Sequence, residues 1–459
     1  MLNAIILLSL LSSVFSEQWA VLISGSNTYD NYRHQSDVCH GYKTLIKNGL
    51  KEDNIITFVY DDIAQNIDNP FKGSVFNHPS TNKGINVYEG CKKSYTGADI
   101  TVSNFLNVLK GNSSAMQGIG SGEVLQSKKA DTVFIAYHDH GGFLILGMPD
   151  DTDYLYASDL NDTLTYMHEH DMYRKLVLYI EACQSGSIFD GILSNKLDIY
   201  ATTAAGPQED SWGWFCPGEG VAPEDPGSIV NGTDIGSCLG DLYSIVWLQN
   251  TDNNGTKQSL ESQFITVKKQ TFLSHVQQYG DLSFAKNTSV GTFLGDNNKD
   301  NKHNYRSYNL GLETTSGRDA SFFSKVYRWF NDNTFNNRLF INSRDILVEL
   351  RKRSIWKNTM AYFNVQMENR TNYDCYKEVN ANLNTTACTT YGPWTLQYSQ
   401  TIASLCYMHS PSDILFALQT ICAESATIAD TKIVDDTLYK IYNESGSPKE
   451  LFEKLVALV

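Results

Sequence analysis

"KLVLYIEACQSGS", residues 175–187, is an apolar run that gives way to a glutamate, a cysteine and a cluster of small residues. The run is too continuous for a strand with one wet face and too short for a membrane span, so it reads as a parallel strand buried on both sides. Four more runs share this character: "WAVLISG" (19–25), "NIITFVY" (54–60), "TVFIAYH" (132–138) and "LDIYATTAA" (197–205). Amphipathic segments separate them, which predicts an α/β fold, a three-layer sandwich around a mostly parallel sheet. Chemistry in such sheets gathers just beyond the carboxyl ends of the strands. That rule draws attention to Cys183 at the end of one run and to "HDHGG" (138–142) at the end of another.

Composition narrows the setting. "MLNAIILLSLLSSVFS" (1–16) is apolar, too short to span a bilayer and closed by small residues, the form of a secretory signal peptide. No later apolar run reaches the roughly 18 residues a membrane helix needs, so the mature chain is expected to be soluble, with no membrane partner. Eight N-x-[ST] sequons, at Asn112, Asn161, Asn231, Asn254, Asn287, Asn369, Asn384 and Asn443, favour the same secretory route. Nine cysteines in an oxidising compartment should mostly pair, and the odd count leaves at least one thiol over. A formal net charge of −15 argues against nucleic acid as a partner.

If the runs ending at His138 and Glu181 are parallel neighbours, His140 and Cys183 face one crevice. A thiolate beside an imidazole is what nucleophilic acyl transfer requires: the imidazolium lowers the thiol pKa and later protonates the leaving amine. Gly141 lets backbone approach closely, and its N–H with that of Cys183 can point at a developing oxyanion. Glu181, two residues before the cysteine, shares its strand face and, if buried, needs a cation such as Arg33. Taken singly, Cys183 reads better as a buried core thiol and His140 as a satisfied loop histidine; the joint pattern favours chemistry. A metal site is the other rival, from His138 and His140 at spacing two and "HEH" at 168–170, but no compact ligand set accompanies them, and no metal or cofactor is expected.

The blocks "NYRHQSDVCHGY" (31–42), "VYDDIA" (59–64), "YTGADITVSNFLNVLKG" (95–111), "GIGSG" (118–122), "DHG" (139–141), "IEACQSGSIF" (180–189), "YATTAA" (200–205), "LGDLYSIVW" (239–247) and "SHVQQYGD" (274–281) together resemble legumain, the asparaginyl endopeptidase. The resemblance implies a caspase-like catalytic domain at 17–295 and a thiol protease of the lysosome or vacuole, or secreted, cutting after Asn, and after Asp at acid pH. It makes Cys183 the nucleophile, His140 its partner, Asn31 the residue that orients the imidazole and Gly141 part of the oxyanion hole. It lines the substrate pocket with Arg33, Glu181 and Asp241, and gives Ser211 a substrate contact. Such a set suits a carboxamide, which offers one acceptor and two donor hydrogens. The Trp-rich loop after Ser211 departs from the family, and Cys216 and Cys238 within it are candidates for an extra disulfide.

Residues 296–335 are polar and Asn-rich, an activation linker on this reading; Asn331 aligns best with the family's processing site, and Asn333, Asn336 and Asn337 are near enough to compete. Residues 336–459 are helical in pattern and resemble a legumain prodomain with its four cysteines, whose family pairing is Cys375 to Cys406 and Cys388 to Cys422; sequence alone leaves three connectivities open. A local surplus of basic residues between Arg338 and Lys357 suits a lid over an acidic cleft that acid releases. The expected partners are protein and peptide substrates and cystatin-type inhibitors, and the expected state is a monomer. Two rival functions use the same scaffold: an Asn-specific transpeptidase or ligase working through the same thioester, and a non-catalytic binding or inhibitor protein.

Overall fold

The structure, a computed structural model, describes residues 16–296 apart from 151–152, 218–226 and 255, together with parts of 315–454, chiefly 371–383 and 393–428. The signal-like leader, the linker with Asn331, and the Cys388 and Cys422 side chains lie outside the described residues.

The five apolar runs form the strands β1 (Gln18–Ser24), β2 (Ile55–Phe58), β3 (Thr132–His138), β4 (Lys175–Glu181) and β5 (Ile199–Thr203). Their order in the sheet is β5-β4-β3-β1-β2, all parallel. A further strand, Gln277–Gly280, pairs antiparallel with β5 along the edge. It is half-buried throughout and polar, so it carries no apolar signature.

Side chains alternate between two cores, as a strand's period of two requires. Val21, Ile23, Val133, Ile135, Leu176 and Leu178 face one core. There they meet α2 (Val102–Leu109) and α3 (Ala157–Glu169). Ala20, Leu22, Phe134, Ala136, Val177 and Tyr179 face the other core, against α1 (Tyr32–Lys47), α4 (Leu242–Asn254) and α5 (Leu260–Gln270). Burial on both faces explains why the strands read as continuous apolar runs. This is the three-layer sandwich expected.

Three further helices, α6 (Tyr373–Leu383), α7 (Ser399–Met408) and α8 (Pro411–Ile428), pack against the α2/α3 side of the molecule. Tyr376 stacks edge-on against Tyr156 and donates from its hydroxyl to the Phe143 carbonyl at 2.9 Å. Lys377 pairs with Asp159 at 2.6 Å. Disulfides join Cys39 to Cys91, Cys216 to Cys238 and Cys375 to Cys406, the last being the family pairing expected. Among the described residues no helix is long and apolar enough to cross a membrane.

Candidate active site

The site lies at the carboxyl ends of β3 and β4, which run in parallel register with His138 opposite Glu181. The Asp139 amide donates to the Glu181 carbonyl at 3.1 Å, so the chain beyond β3 stays beside the chain beyond β4. Gly141 then lies against Cys183: a β-carbon there would stand 2.6 Å from the Cys183 carbonyl oxygen and 2.8 Å from Cβ of Ala182. Directly after Cys183 the backbone turns left-handed at Gln184 (φ 53°) and enters a single 3-10 turn, Ser185–Ile188. The thiol therefore stands at a strand tip. Cys183 stays out of the disulfides, and its Sγ lies 3.8 Å from the Ser211 carbonyl oxygen and 3.9 Å from its Oγ.

His140 is buried, and its Nε2 lies 2.8 Å from Oδ1 of Asn31, the residue just before α1. The ring of His34 meets it edge-on at 5.1 Å between centroids. His34 is held in turn by Ser26 Oγ at 2.6 Å and lies within 3.6 Å of Asp139 and Asp241. Burial, with Arg33 and the neighbouring histidines adding to it, holds His34 well below the ordinary imidazole range.

Arg33 enters from the first turn of α1, and its Nε donates to Asp241 Oδ1 at 2.9 Å. Asp241 belongs to a two-residue strand, Gly240–Asp241, that pairs antiparallel with Trp212–Trp214, the stretch following Ser211. Arg33, Glu181, Asp241, Ser211 and Cys183 thus converge from four separate stretches. The expected pairing of Glu181 with Arg33 is replaced: Glu181 Oε2 accepts from the Ser244 amide and hydroxyl, each at 3.0 Å, while the guanidinium turns to Asp241. The reason is local, because α4 begins at Leu242 and brings its first turn of N–H donors to the carboxylate.

The pocket floor is crowded with acid. Burial pushes the carboxyls of Asp37 and Glu181 well above the usual range, with Asp241 adding to both. Asp241 rises too, against the pull of Arg33. His138 is driven down to about 3 by burial and bonds Ser244 Oγ at 3.0 Å. It therefore belongs to the floor, apart from His140; His168 and His170 lie at the end of α3. Among the described residues one group, His34, Asp139 and His140, brings three donors within 4.8 Å of one another. His34 Nδ1 in that group is already engaged by Ser26 Oγ.

Sequence reasoning missed His34, Asp37, Ser244 and Asn77. The first two carry a signal in retrospect: Arg33, His34, Asp37 and His40 recur at three- and four-residue spacing on α1 and are all buried, a polar stripe turned inward.

The sequence model of the Peptidase C13 family matches residues 18–296. The chain belongs to the Peptidase C13 family. Among similar C13 proteins are the vacuolar-processing enzyme of Vicia sativa, 48% identical over 285 residues (61% of this chain, 55% of the relative), and the legumain of Canavalia ensiformis, 47% over 272 residues (58% and 54%). The vacuolar-processing enzyme beta-isozyme 1 of Oryza sativa subsp. japonica is 45% identical over 325 residues (68% and 63%). The chain spans less than two thirds of the length of these relatives. Among solved structures, caspase-1 from Spodoptera frugiperda is matched at 11% identity and a TM-score of 0.33, covering 61% of this chain and 90% of that one.

Proposed function

We propose that this chain is a cysteine endopeptidase that hydrolyses peptide bonds on the carboxyl side of Asn, made as a zymogen and acting in an acidic vacuolar or lysosomal compartment. The observation that carries the reading is the convergence of Cys183 with a buried guanidinium and two buried carboxylates, behind a histidine fixed by Asn31. With Nε2 engaged by Asn31, Nδ1 of His140 is the nitrogen that exchanges a proton with the thiol. The Cys183 thiolate attacks the scissile carbonyl, and its electron pair moves to an oxyanion met by the Gly141 and Cys183 amides. The C–N bond then breaks as His140 protonates the amine, leaving a thioester. Water, giving its proton to His140, hydrolyses the thioester and returns the thiol.

Arg33 suits the carboxamide oxygen of a substrate asparagine, and Glu181 and Asp241 suit its two N–H groups. An ionised aspartate would face those carboxylates, so Asp is admitted only when protonated, at acid pH. The vacuolar names of the relatives, the signal-like leader and the sequons support the compartment.

The zymogen reading draws on the helical tail. Ser399, at the start of α7, accepts from the Phe143 amide at 2.6 Å and donates to Gln184 Oε1 at 3.4 Å. Gly142, Phe143 and Gln184 adjoin the oxyanion glycine and the nucleophile. Leu396 reaches the small cavity that His140 shares with Ser26, Asn31 and Asp139. The tail thus covers ground a substrate would need, and cleavage at or near Asn331 would free it. Protein substrates and cystatin-type inhibitors would compete for the uncovered cleft.

The test is turnover of an Ala-Ala-Asn amide against its Gln and Asp counterparts at about pH 5.5 and about pH 7, before and after acid treatment. Asn-selective turnover that appears after acid and is abolished in Cys183→Ala is expected. Equal turnover of Asn and Gln would overturn the pocket, and acid cleavage of the chain surviving in Cys183→Ala would overturn self-processing.

A further inference from the structure

Beneath the pocket lies a second buried polar cluster that the reaction scheme leaves unused. Asn77 is 1% exposed, and its amide is surrounded by groups of α1 and of the stretch leading into Gly240–Asp241. Nδ2 faces the Asp37 carboxylate at 2.7 Å, the Leu239 carbonyl at 3.0 Å and Ser36 Oγ at 2.9 Å. A carboxylate and a carbonyl accept hydrogen bonds, so this end of the amide is the nitrogen. The oxygen then faces Nδ1 of His40 at 2.6 Å, and His40 must donate to it. On its far side His40 Nε2 meets Asp252 Oδ2 at 2.9 Å, and Asp252 is further held by Thr44 Oγ1 at 3.2 Å and faces Lys47 at 3.8 Å.

The consequence runs upward into the specificity pocket. Asp37, gripped on Oδ1 by Asn77, accepts the backbone N–H of Asp241 on Oδ2 at 3.1 Å. Asn77 and Asp37 therefore hold the Leu239 carbonyl and the Asp241 amide, either side of Gly240. A β-carbon at Gly240 would stand 2.8 Å from Asn77 Nδ2, so the glycine admits the amide against the strand. The side chain of the residue so fixed binds Arg33.

We propose that Asn77, oriented by His40, is a positioning residue that holds Asp241 where it recognises a substrate carboxamide, and so sets the preference for Asn over Asp. This rests on the carboxamide-pocket reading above. It assigns no contact with substrate to Asn77 or His40. Their effect passes through Asp37 and the strand, and falls on recognition rather than on the thiol.

Two replacements of His40 separate the roles of its nitrogens. The amide nitrogen of His40→Asn lies near where Nδ1 stood and keeps a donor for Asn77 while losing Asp252. The amide of His40→Gln lies near where Nε2 stood and keeps Asp252 while losing Asn77. KM and kcat for Asn and Asp amides, and the rate of Cys183 alkylation by iodoacetamide, are measured on both acid-activated proteins. In His40→Gln the Asn-to-Asp ratio of kcat/KM should fall at least about tenfold, mainly through KM, with alkylation within about twofold of wild type. In His40→Asn the ratio should stay within about threefold. Asn77→Leu should follow His40→Gln. An equal ratio in the two His40 variants would overturn the proposal, as would turnover and alkylation falling together. A wild-type enzyme with no Asn preference would instead sink the parent reading.

Discussion

Gly141 stands so close to Cys183 that any β-carbon at position 141 would lie 2.6 Å from the Cys183 carbonyl oxygen. The obstructing atom belongs to backbone, so no rotamer change relieves it. Gly141→Ala should therefore push apart the two strand tips that carry the histidine and the thiol. We expect kcat/KM to fall by about 10²-fold or more, the scale of losing an oxyanion donor. Far-UV circular dichroism should be unchanged; a fully active Ala variant would contradict the proposed oxyanion role.

The acidic floor sets a pH dependence of stability. Asp37, Glu181 and Asp241 have raised carboxyl pKa values in the fold. Their contribution is complete below the unfolded value near 4 and is lost as pH rises through the folded values. His34 and His138 are depressed, the latter to about 3. Their contribution is complete above about 6.5 and lost as pH falls toward the folded values, so the two sets oppose each other in mild acid. Rising pH therefore lowers the Tm of Cys183→Ala wherever those carboxyls ionise in the fold, a slope opposite in sign to that of the histidines. Asp37→Asn should flatten that slope; a slope unchanged by it would remove Asp37 from the account.

The disulfide from Cys216 to Cys238 joins the ends of the ribbon that carries Ser211 and Asp241. It closes a separation of 22 residues, for which loop-closure entropy gives about 3 kcal/mol at most. Replacing both cysteines by serine should lower Tm and raise KM for the Asn amide more than it lowers kcat. Measuring kcat and KM separately decides this, and a loss confined to kcat would assign the ribbon a different role.

Ser399 is fully buried where α7 meets Gly142. A larger residue there has no room, so Ser399→Phe should loosen the tail without touching Cys183 or His140. Iodoacetamide should alkylate Cys183 of the uncleaved variant at neutral pH at least about tenfold faster than uncleaved wild type. An unchanged rate would mean that this contact does not shield the thiol.

Much of the α/β half was legible because its signals are local. The five strands are buried on both faces, so each reads as an unbroken apolar run, and Cys183 and His140 announce themselves by ending two of them. The edge strand Gln277–Gly280 escaped notice because it is polar and half-exposed. Glu181 could be recognised as buried from its place in a strand, yet its partner could not. Which donor reaches a carboxylate depends on where another helix begins, and α4 delivers Ser244 while Asp241 takes Arg33.

By itself the sequence determined the sheet, the thiol kept out of disulfides and the family, since periodicity, cysteine parity and ordered motifs survive without coordinates. Tertiary structure alone decided how the buried charges pair and how Asn77 joins α1 to the strand of Asp241, which stands more than 160 positions away. Hydrogen bonding acts over about 3 Å whatever the separation along the chain, and only the fold sets which groups come within that range.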